Sequence, residues 1–245
     1  MYSFRTNTNP AVTTKFPISF DGKIIETTVT DKGCIADEWI QEILSEYPSK
    51  PTVVGLDIEW KPNTITKINK AATLQLCIND KCLILQLFYM NDFPQSLKDF
   101  LLDSNFIFVG VKVADDIEKL RNEYGLGCSK HADIRELAMK KWPGRFGNNP
   151  GLKGLALEIA GVHIEKPKDV SRSNWQARVL EMYQIEYGCI DAYASYLVGH
   201  KLLMEGQRGF LSYYAGFVHD LVSYVSWIFV LILVFVWLSV CIQSY

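Results

Sequence analysis

Two carboxylates stand two residues apart in an otherwise apolar run of the sequence. Asp57 and Glu59 lie within Thr52 to Trp60, which reads TVVGLDIEW. If this run is a strand, both side chains project from one face of a sheet. Acids placed together in this way repel each other, and a bound cation would offset this repulsion. A set of ligands made only of oxygen atoms suits divalent ions such as Mg²⁺ or Mn²⁺. The alternative is that the strand ends near Glu59 and both acids are solvated.

Further polar residues extend this pattern towards the C-terminus. Tyr187 and Asp191 stand four apart in a segment with helical character, so they share one helix face. Asp116 lies near the start of a predicted helix, where the helix dipole alone would favour an acid. Taken in order, Asp-x-Glu on a strand, Asp after a later strand and Tyr-x-x-x-Asp on a C-terminal helix predict one two-metal nuclease site.

The elements that must position these residues follow an α/β pattern. An Asp21-Gly22 turn predicts a hairpin over 17 to 30. Three mostly antiparallel strands are predicted at 52–60, 72–78 and 82–88, another strand at 106–111 and a short extended stretch at 131–134. Helices are predicted at 36–47, 94–102, 114–124, 152–160 and 181–204, with a loop at 142–151. The sequence therefore predicts a mixed sheet with helices on both faces.

Composition limits what else the chain can be. It has 245 residues, of which 49% are hydrophobic, and a net charge of -2. This composition excludes global disorder, and the charge excludes an overall positive field for nucleic-acid binding. The six cysteines include no C-x-x-C pair and are read as reduced thiols.

A long uncharged segment lies near the C-terminus. Leu221 to Ile242 comprises 22 residues without a formal charge. As a helix it would span about 33 Å, against a hydrocarbon core of about 30 Å. The nearest cations, Lys201 and Arg208, precede it and would keep the preceding chain in the cytosol. The alternatives are a buried terminal helix and a stretch translated from an atypical gene model.

Several blocks of the sequence resemble a known family. They are VVGLDIEWKP (Val53 to Pro62), ATLQLC (Ala72 to Cys77), CLILQLF (Cys82 to Phe88), FVGVKVADDIEKL (Phe108 to Leu120), GLKGLA (Gly151 to Ala156) and SNWQARVLEMYQIEYGCIDAYASYL (Ser173 to Leu197). The chain is similar to the Werner syndrome-type 3'-5' exonucleases, particularly the small plant proteins, within the DEDD group of the ribonuclease H-like superfamily. The resemblance implies an exonuclease domain at 16–209, preceded by an N-terminal extension at 1–15. The apolar composition predicts a hydrophobic tail at 210–245 with a C-terminal hydrophobic helix, in which 221–242 is the candidate transmembrane helix.

The resemblance also implies a mechanism. The family's four metal-binding acids match Asp57, Glu59, Asp116 and Asp191, and its helix tyrosine matches Tyr187, which indicates the tyrosine branch. Asp57 is expected to bridge two Mg²⁺ or Mn²⁺ ions, Glu59 and Asp191 to complete one, and Asp116 to hold the other largely through water. Tyr187 is expected to orient the attacking water. The product would be a nucleoside 5'-monophosphate released from a 3' end.

Substrate contacts are less determined by the sequence. Basic residues expected to meet phosphates are Lys112, Lys140, Lys141, Arg145, Lys166, Lys168 and Arg172, with a solvated surface as the alternative. Lys112 departs from the family pattern, which has glycine there. The resemblance implies a nucleic acid with a 3' end as partner, either DNA or RNA and in particular duplex DNA with a recessed 3' end.

Location, assembly and catalytic competence carry alternatives. The resemblance implies a nuclear or cytoplasmic protein and leaves a homo-oligomer open. The hydrophobic tail adds the alternative of a tail anchor in a membrane, with the exonuclease domain facing the cytosol. The rival function is a catalytically silent nucleic-acid or protein-binding module on the same fold, tethered to a membrane. The presence of all four acids and the tyrosine disfavours that rival, because a silent module has no need for them.

Overall fold

The computed structural model describes residues 14–48, 51–66 and 68–205. The strands are β1 (Thr14–Phe20), β2 (Lys23–Thr30), β3 (Thr52–Glu59), β4 (Thr73–Ile78), β5 (Lys81–Leu85), β6 (Phe106–Gly110) and β7 (His131–Asp133). The α-helices are α1 (Gly33–Glu46), α2 (Gln95–Leu102), α3 (Val113–Tyr124), α4 (Ile134–Lys141), α5 (Leu152–Leu155), α6 (Lys168–Ser171) and α7 (Met182–His200). A 3-10 turn spans Leu87–Tyr89, and π turns span Ala156–Ala160 and Lys201–Glu205.

The strands form one mixed sheet in the order β1-β2-β5-β4-β3-β6-β7. Strands β2 and β5, β3 and β6, and β6 and β7 pair in parallel, whereas the other neighbours are antiparallel. The predicted hairpin is confirmed. Its turn residues Asp21 and Gly22 both have positive φ, at 49° and 72°, as a two-residue hairpin turn requires. The mixed sheet predicted from the sequence is therefore confirmed.

Helices cover both faces of the sheet, as predicted. One hydrophobic core joins β3 residues Leu56 and Ile58 to side chains of α1, α2 and α3. A second core, on the opposite face, joins Cys77 and Ile84 to side chains of α7. Because side chains alternate along a strand, the residues of β3 that do not enter the first core face α7.

Several predicted elements have different bounds in the structure; for example, α7 ends at His200 and not at 204. The strand predicted at 82–88 stops at Leu85, and the buried Gln86 side chain donates hydrogen bonds to the carbonyls of Ala177 and Arg178. The helix predicted at 152–160 is a short α-helix followed by a π turn that ends at Gly161, with φ 76°. Periodicity in the sequence reveals neither the contacts of the Gln86 side chain nor the change from α-helix to π turn, so neither the end of this strand nor the end of this helix could be predicted from it.

Two predicted segments fall outside the described residues. These are almost all of the N-terminal extension at 1–15 and the uncharged segment at 221–242. Within residues 14–48, 51–66 and 68–205, none of the helices combines the length and the apolar character needed for a membrane span.

Candidate metal centre

The acidic pair lies on the face of the sheet that α7 covers. Strand β3 is flanked by β4 and β6 near the middle of the sheet. Leu56 and Ile58 point into the core beneath α1, α2 and α3, so Asp57 and Glu59 alternate to the side of α7. The strand does end at Glu59, but Asp57 and Glu59 are both partly buried, so the alternative of two solvated acids does not hold.

A glycine allows α7 to approach β3 closely. A Cβ atom added to Gly55 would lie 1.9 Å from the carbonyl oxygen of Ala192 and 2.7 Å from the backbone nitrogen of Tyr196. Gly55 lies two residues before Asp57 and therefore on the same face of the strand. On the helix, Gly188 likewise approaches the Gln75 side chain, with 3.2 Å between a Cβ added to Gly188 and the Gln75 Cγ. These contacts place the α7 backbone against the strand that carries the acids.

The close packing brings three carboxylates together. One oxygen each from Asp57, Glu59 and Asp191 lies within 4.8 Å of the other two. Asp191 is 1% exposed. Asp116, in the first turn of α3, lies outside this group of three, although its charge contributes to the raised pKa values of Asp57 and Glu59. We call Asp57, Glu59 and Asp191 the carboxylate cluster.

Burial and mutual repulsion make the charged forms of these acids unfavourable. Burial, and then the charge of Asp191, raises the pKa of Asp57 well above its usual value. Burial, and then Asp57, raises the pKa of Glu59 to about 10. Burial raises the pKa of Asp191, and burial followed by the charge of Asp115 raises that of Asp116 to about 7. Raised pKa values mean that the ionised carboxylates are unfavourable here, and bound cations would stabilise that ionised form.

A lysine side chain already lies against the cluster. The Nζ atom of Lys166 is 2.6 Å from Oδ2 of Asp191 and 5.5 Å from the centre of the Tyr187 ring. Burial lowers the pKa of Lys166, but the charges of Asp191 and Asp57 outweigh this effect and leave the pKa raised. The sequence predicted Lys166 as a phosphate contact, whereas in the structure its ammonium group faces the carboxylates.

Tyr187 lies one helical turn before Asp191 on α7. Its ring lies 6.0 Å from the buried Trp175 ring, measured between centroids, and the Nζ atom of Lys166 lies 5.5 Å from its centre. Burial, and then the charge of Asp191, raises the pKa of Tyr187. The phenol therefore keeps its proton at neutral pH and can donate a hydrogen bond.

One buried polar residue near the cluster was not singled out from the sequence. Gln75 pairs directly with Asp57 across β3 and β4, which puts both side chains on the same face. Gln75 is fully buried, and its Nε2 donates to the Thr73 hydroxyl at 2.7 Å. Its Oε1 has no hydrogen-bond partner among the described residues. The signal in the sequence was a glutamine inside an apolar strand.

Lys112 adopts a backbone conformation that favours glycine. It caps the N-terminus of α3 with φ 60° and ψ 30°, in the left-handed region. Its backbone N–H donates to Oδ2 of Asp133 at 2.9 Å, while the side chain is exposed. The strained φ gives a physical reason for the glycine that the family pattern has at this place.

The other predicted basic residues lie at the surface. They are Lys140, Lys141, Arg145, Lys168 and Arg172, all exposed. Arg145 forms an exposed ion pair with Glu158, at 3.2 Å, and its guanidinium lies over the Trp142 ring. Lys141 also lies over Trp142, with Nζ 4.9 Å from the ring centre. These cations are thus accessible to a large ligand.

The donor set and its setting define a class of protein. A mixed sheet whose inner strand carries two acids, beneath a helix that supplies a third, fits the ribonuclease H-like fold that the resemblance of the sequence implies. The fold is that of RNase D from Escherichia coli, which superposes with a TM-score of 0.57 at 24% identity over 70% of this chain and 44% of that chain.

Sequence comparison gives the family. The chain belongs to the 3'-5' exonuclease family, a family of hydrolases, whose model matches residues 33–207. It is 33% identical over 155 residues to a 3'-5' exonuclease of Arabidopsis thaliana, covering 62% of this chain and 52% of that protein. It is 30% identical over 166 residues to the bifunctional 3'-5' exonuclease/ATP-dependent helicase WRN of Mus musculus, covering 67% of this chain and 12% of that protein. The chain thus spans about half, or much less, of the length of these relatives.

Proposed function

We propose that this chain is a metal-dependent 3'-5' exonuclease that releases nucleoside 5'-monophosphates. The observation that carries the proposal is the convergence of Asp57, Glu59 and Asp191, whose carboxylate oxygens lie within 4.8 Å of one another. These residues come from one strand and from a helix more than 130 positions later, and the fold buries all three at least in part. A silent binding module would gain nothing from such repulsion.

Two Mg²⁺ or Mn²⁺ ions fit this donor set. The donors are all carboxylate oxygens, which such ions prefer, and the raised pKa of Glu59 indicates that the charge of Lys166 does not compensate for burial and for the neighbouring acids. Asp57, Glu59 and Asp191 would hold the ions, with Asp116 as the further acid of the site. Bound ions of this kind activate a water for attack on the phosphorus and stabilise the leaving 3'-oxygen.

The chain's own residues would position the reacting water. Tyr187 keeps its proton at neutral pH and would hold that water by a hydrogen bond, on the side of the cluster that Asp191 occupies. Its place four residues before Asp191, with Glu186 where the histidine branch has its histidine, supports the tyrosine branch of the family. The Arabidopsis relative supports the plant type, and the WRN relative supports the Werner syndrome-like subtype.

The substrate would be a nucleic acid with a free 3' end, and we propose duplex DNA with a recessed 3' end. The exposed side chains of Lys112, Lys140, Lys141, Lys168 and Arg172 would contact phosphates without reading sequence. The similarity to the bifunctional 3'-5' exonuclease/ATP-dependent helicase WRN supports a nucleic acid with a 3' end, and the recessed duplex is what the resemblance of the sequence implies. Single-stranded DNA and RNA of the same sequence are the competing substrates in the test.

The test is a product ladder from a 5'-labelled strand. The full-length chain is incubated with the recessed duplex, the single strand or the RNA, in Mg²⁺, Mn²⁺ or EDTA. We expect stepwise shortening from the 3' end, dependent on metal and lost in Asp57→Asn. Asp116→Asn and Asp115→Asn form a matched pair, since Asp115 is the exposed neighbour. An equal loss of activity in Asp116→Asn and Asp115→Asn would contradict the site assignment. Shortening of the strand by Asp57→Asn at the rate of the parent would contradict it as well.

We also propose that residues 221–242 anchor the chain in a membrane, with residues 16–209 as a cytosolic exonuclease domain. The support is the 22-residue run without a formal charge and the cations that precede it. A fluorescent fusion should move from the membrane fraction to the soluble fraction when residues 221–245 are deleted. An unchanged distribution, whether nuclear or cytoplasmic, would contradict the anchor. A homo-oligomer stays a prediction, which light scattering in detergent would test.

A further inference from the structure

Lys166 lies on a segment without regular structure, between the π turn Ala156–Ala160 and α6. The neighbouring Ile164 is fully buried. On the surface side, Glu165 accepts from Lys153 at 3.1 Å and pairs with His163 at 2.6 Å. The backbone beside Lys166 is therefore anchored, while its own side chain is one-third exposed. A long, flexible side chain on a fixed backbone can move its ammonium group without rearranging the fold.

The Lys166 ammonium group contacts one of the carboxylates that a metal ion would need. It contacts Oδ2 of Asp191 at 2.6 Å, and its charge acts on Asp57 and Glu59 as well. One positive charge does not neutralise three carboxylates, so a divalent ion has a larger attraction to the cluster than the lysine has. The Lys166 ammonium group and a divalent ion repel each other, so they cannot both bind closely to the Asp191 carboxylate.

We propose that Lys166 is an internal counter-ion that competes with divalent ions for Asp191, so that metal loading requires its ammonium group to leave this carboxylate. The inference rests on the proposed metal centre. It assigns to Lys166 a role in the metal affinity of the protein, beyond the phosphate contact predicted from sequence. The lysine would stabilise the cluster at low metal concentration and set the concentration at which ions displace it.

The test is Mn²⁺ binding to the full-length chain, measured by titration calorimetry. Lys166→Met keeps the length of the side chain and removes the charge, so we expect its Mn²⁺ affinity to rise by about tenfold or more. Lys168→Met is the matched control, since Lys168 is exposed and two residues away, and we expect an affinity within about twofold of the parent. Lys166→Arg keeps the charge and adds a donor, so it should bind Mn²⁺ no more tightly than the parent.

The outcomes separate this inference from the proposed function. Measurable Mn²⁺ binding by the parent, with equal or weaker binding by Lys166→Met, would overturn the counter-ion role and leave the metal centre standing. If Lys166→Met does not fold, tighter binding by Lys166→Arg than by the parent would overturn it. If the parent binds no Mn²⁺, both the inference and the proposed metal centre fail.

Discussion

Replacing Gly55 with alanine tests how the fold assembles the site. The added Cβ would lie 1.9 Å from the Ala192 carbonyl oxygen, whereas ordinary contact begins at 3.4 Å. The obstructing atom belongs to the helix backbone, so no side-chain rotation relieves the clash. Helix α7 and strand β3 must therefore separate. The difference between the 1.9 Å contact and the ordinary 3.4 Å corresponds to a shift of about 1.5 Å. Because Asp191 is one residue before Ala192, this shift moves its carboxylate away from Asp57.

The consequences for stability and activity have separate magnitudes. Overpacking of this kind typically costs about 1–3 kcal/mol of unfolding free energy. A misplacement of about 1 Å at a catalytic group reduces the rate by about 100-fold. We therefore expect Gly55→Ala to fold with reduced stability and to lose about 100-fold in kcat/KM for removal of the 3'-terminal nucleotide.

The assay compares initial rates of shortening with urea unfolding followed by circular dichroism. Gly154→Ala is the control, because a Cβ at Gly154 meets nothing within 4 Å. Its rate should match the parent, and its stability should be equal or higher by up to about 1 kcal/mol, since alanine is favoured over glycine inside a helix. A folded Gly55→Ala protein with the parent kcat/KM would refute the reasoning that the approach of α7 to β3 sets the site.

Three further predictions follow from the site. Without divalent ions, the unfolding free energy should fall as the pH rises from about 4 to about 7. The reason is that the pKa of Asp116 is raised from 3.8 to about 7, so the folded state binds this proton more tightly than the unfolded state does. The stabilisation is complete below a pH of about 4 and is lost as the pH rises through the pKa of the folded state. Melting temperatures in EDTA measure this slope, and saturating Mg²⁺ should flatten it; a rise with pH in EDTA would contradict the prediction. Lys112→Gly should raise the unfolding free energy in urea by about 0.5–1 kcal/mol, since it relieves the left-handed φ of 60°, and a loss would show that the lysine is not strained. Tyr187→Phe should lower kcat by about 100-fold while calorimetric Mn²⁺ affinity stays unchanged, and an unchanged kcat would remove the tyrosine from the water-positioning role.

The parts of the site that follow local rules were predictable from the sequence. Two-residue alternation places Asp57 and Glu59 on one face, and four-residue helical spacing places Tyr187 near Asp191. The order of these residues, together with the resemblance, indicated that strand and helix meet. The structure does bring them together through the close approach at Gly55.

The parts that depend on tertiary contact were not predictable. Lys166 precedes a proline in a polar stretch and looks like a surface residue, yet its ammonium group lies 2.6 Å from Asp191. The orphaned carbonyl of Gln75 likewise depends on packing against α7, which periodicity does not encode. Asp116 matches the family pattern but stands outside the group of three, because its position is set by the first turn of α3 and not by β3.

The central claim is that the carboxylate cluster binds divalent ions. Anomalous diffraction from crystals of the full-length chain soaked in Mn²⁺ tests it most directly, because it locates the ions without any assumption about activity. We predict one Mn²⁺ in contact with Asp57, Glu59 and Asp191 and a second between Asp57 and Asp116. Crystals that bind Mn²⁺ only elsewhere, or at this position without Asp57 as a ligand, would contradict the account.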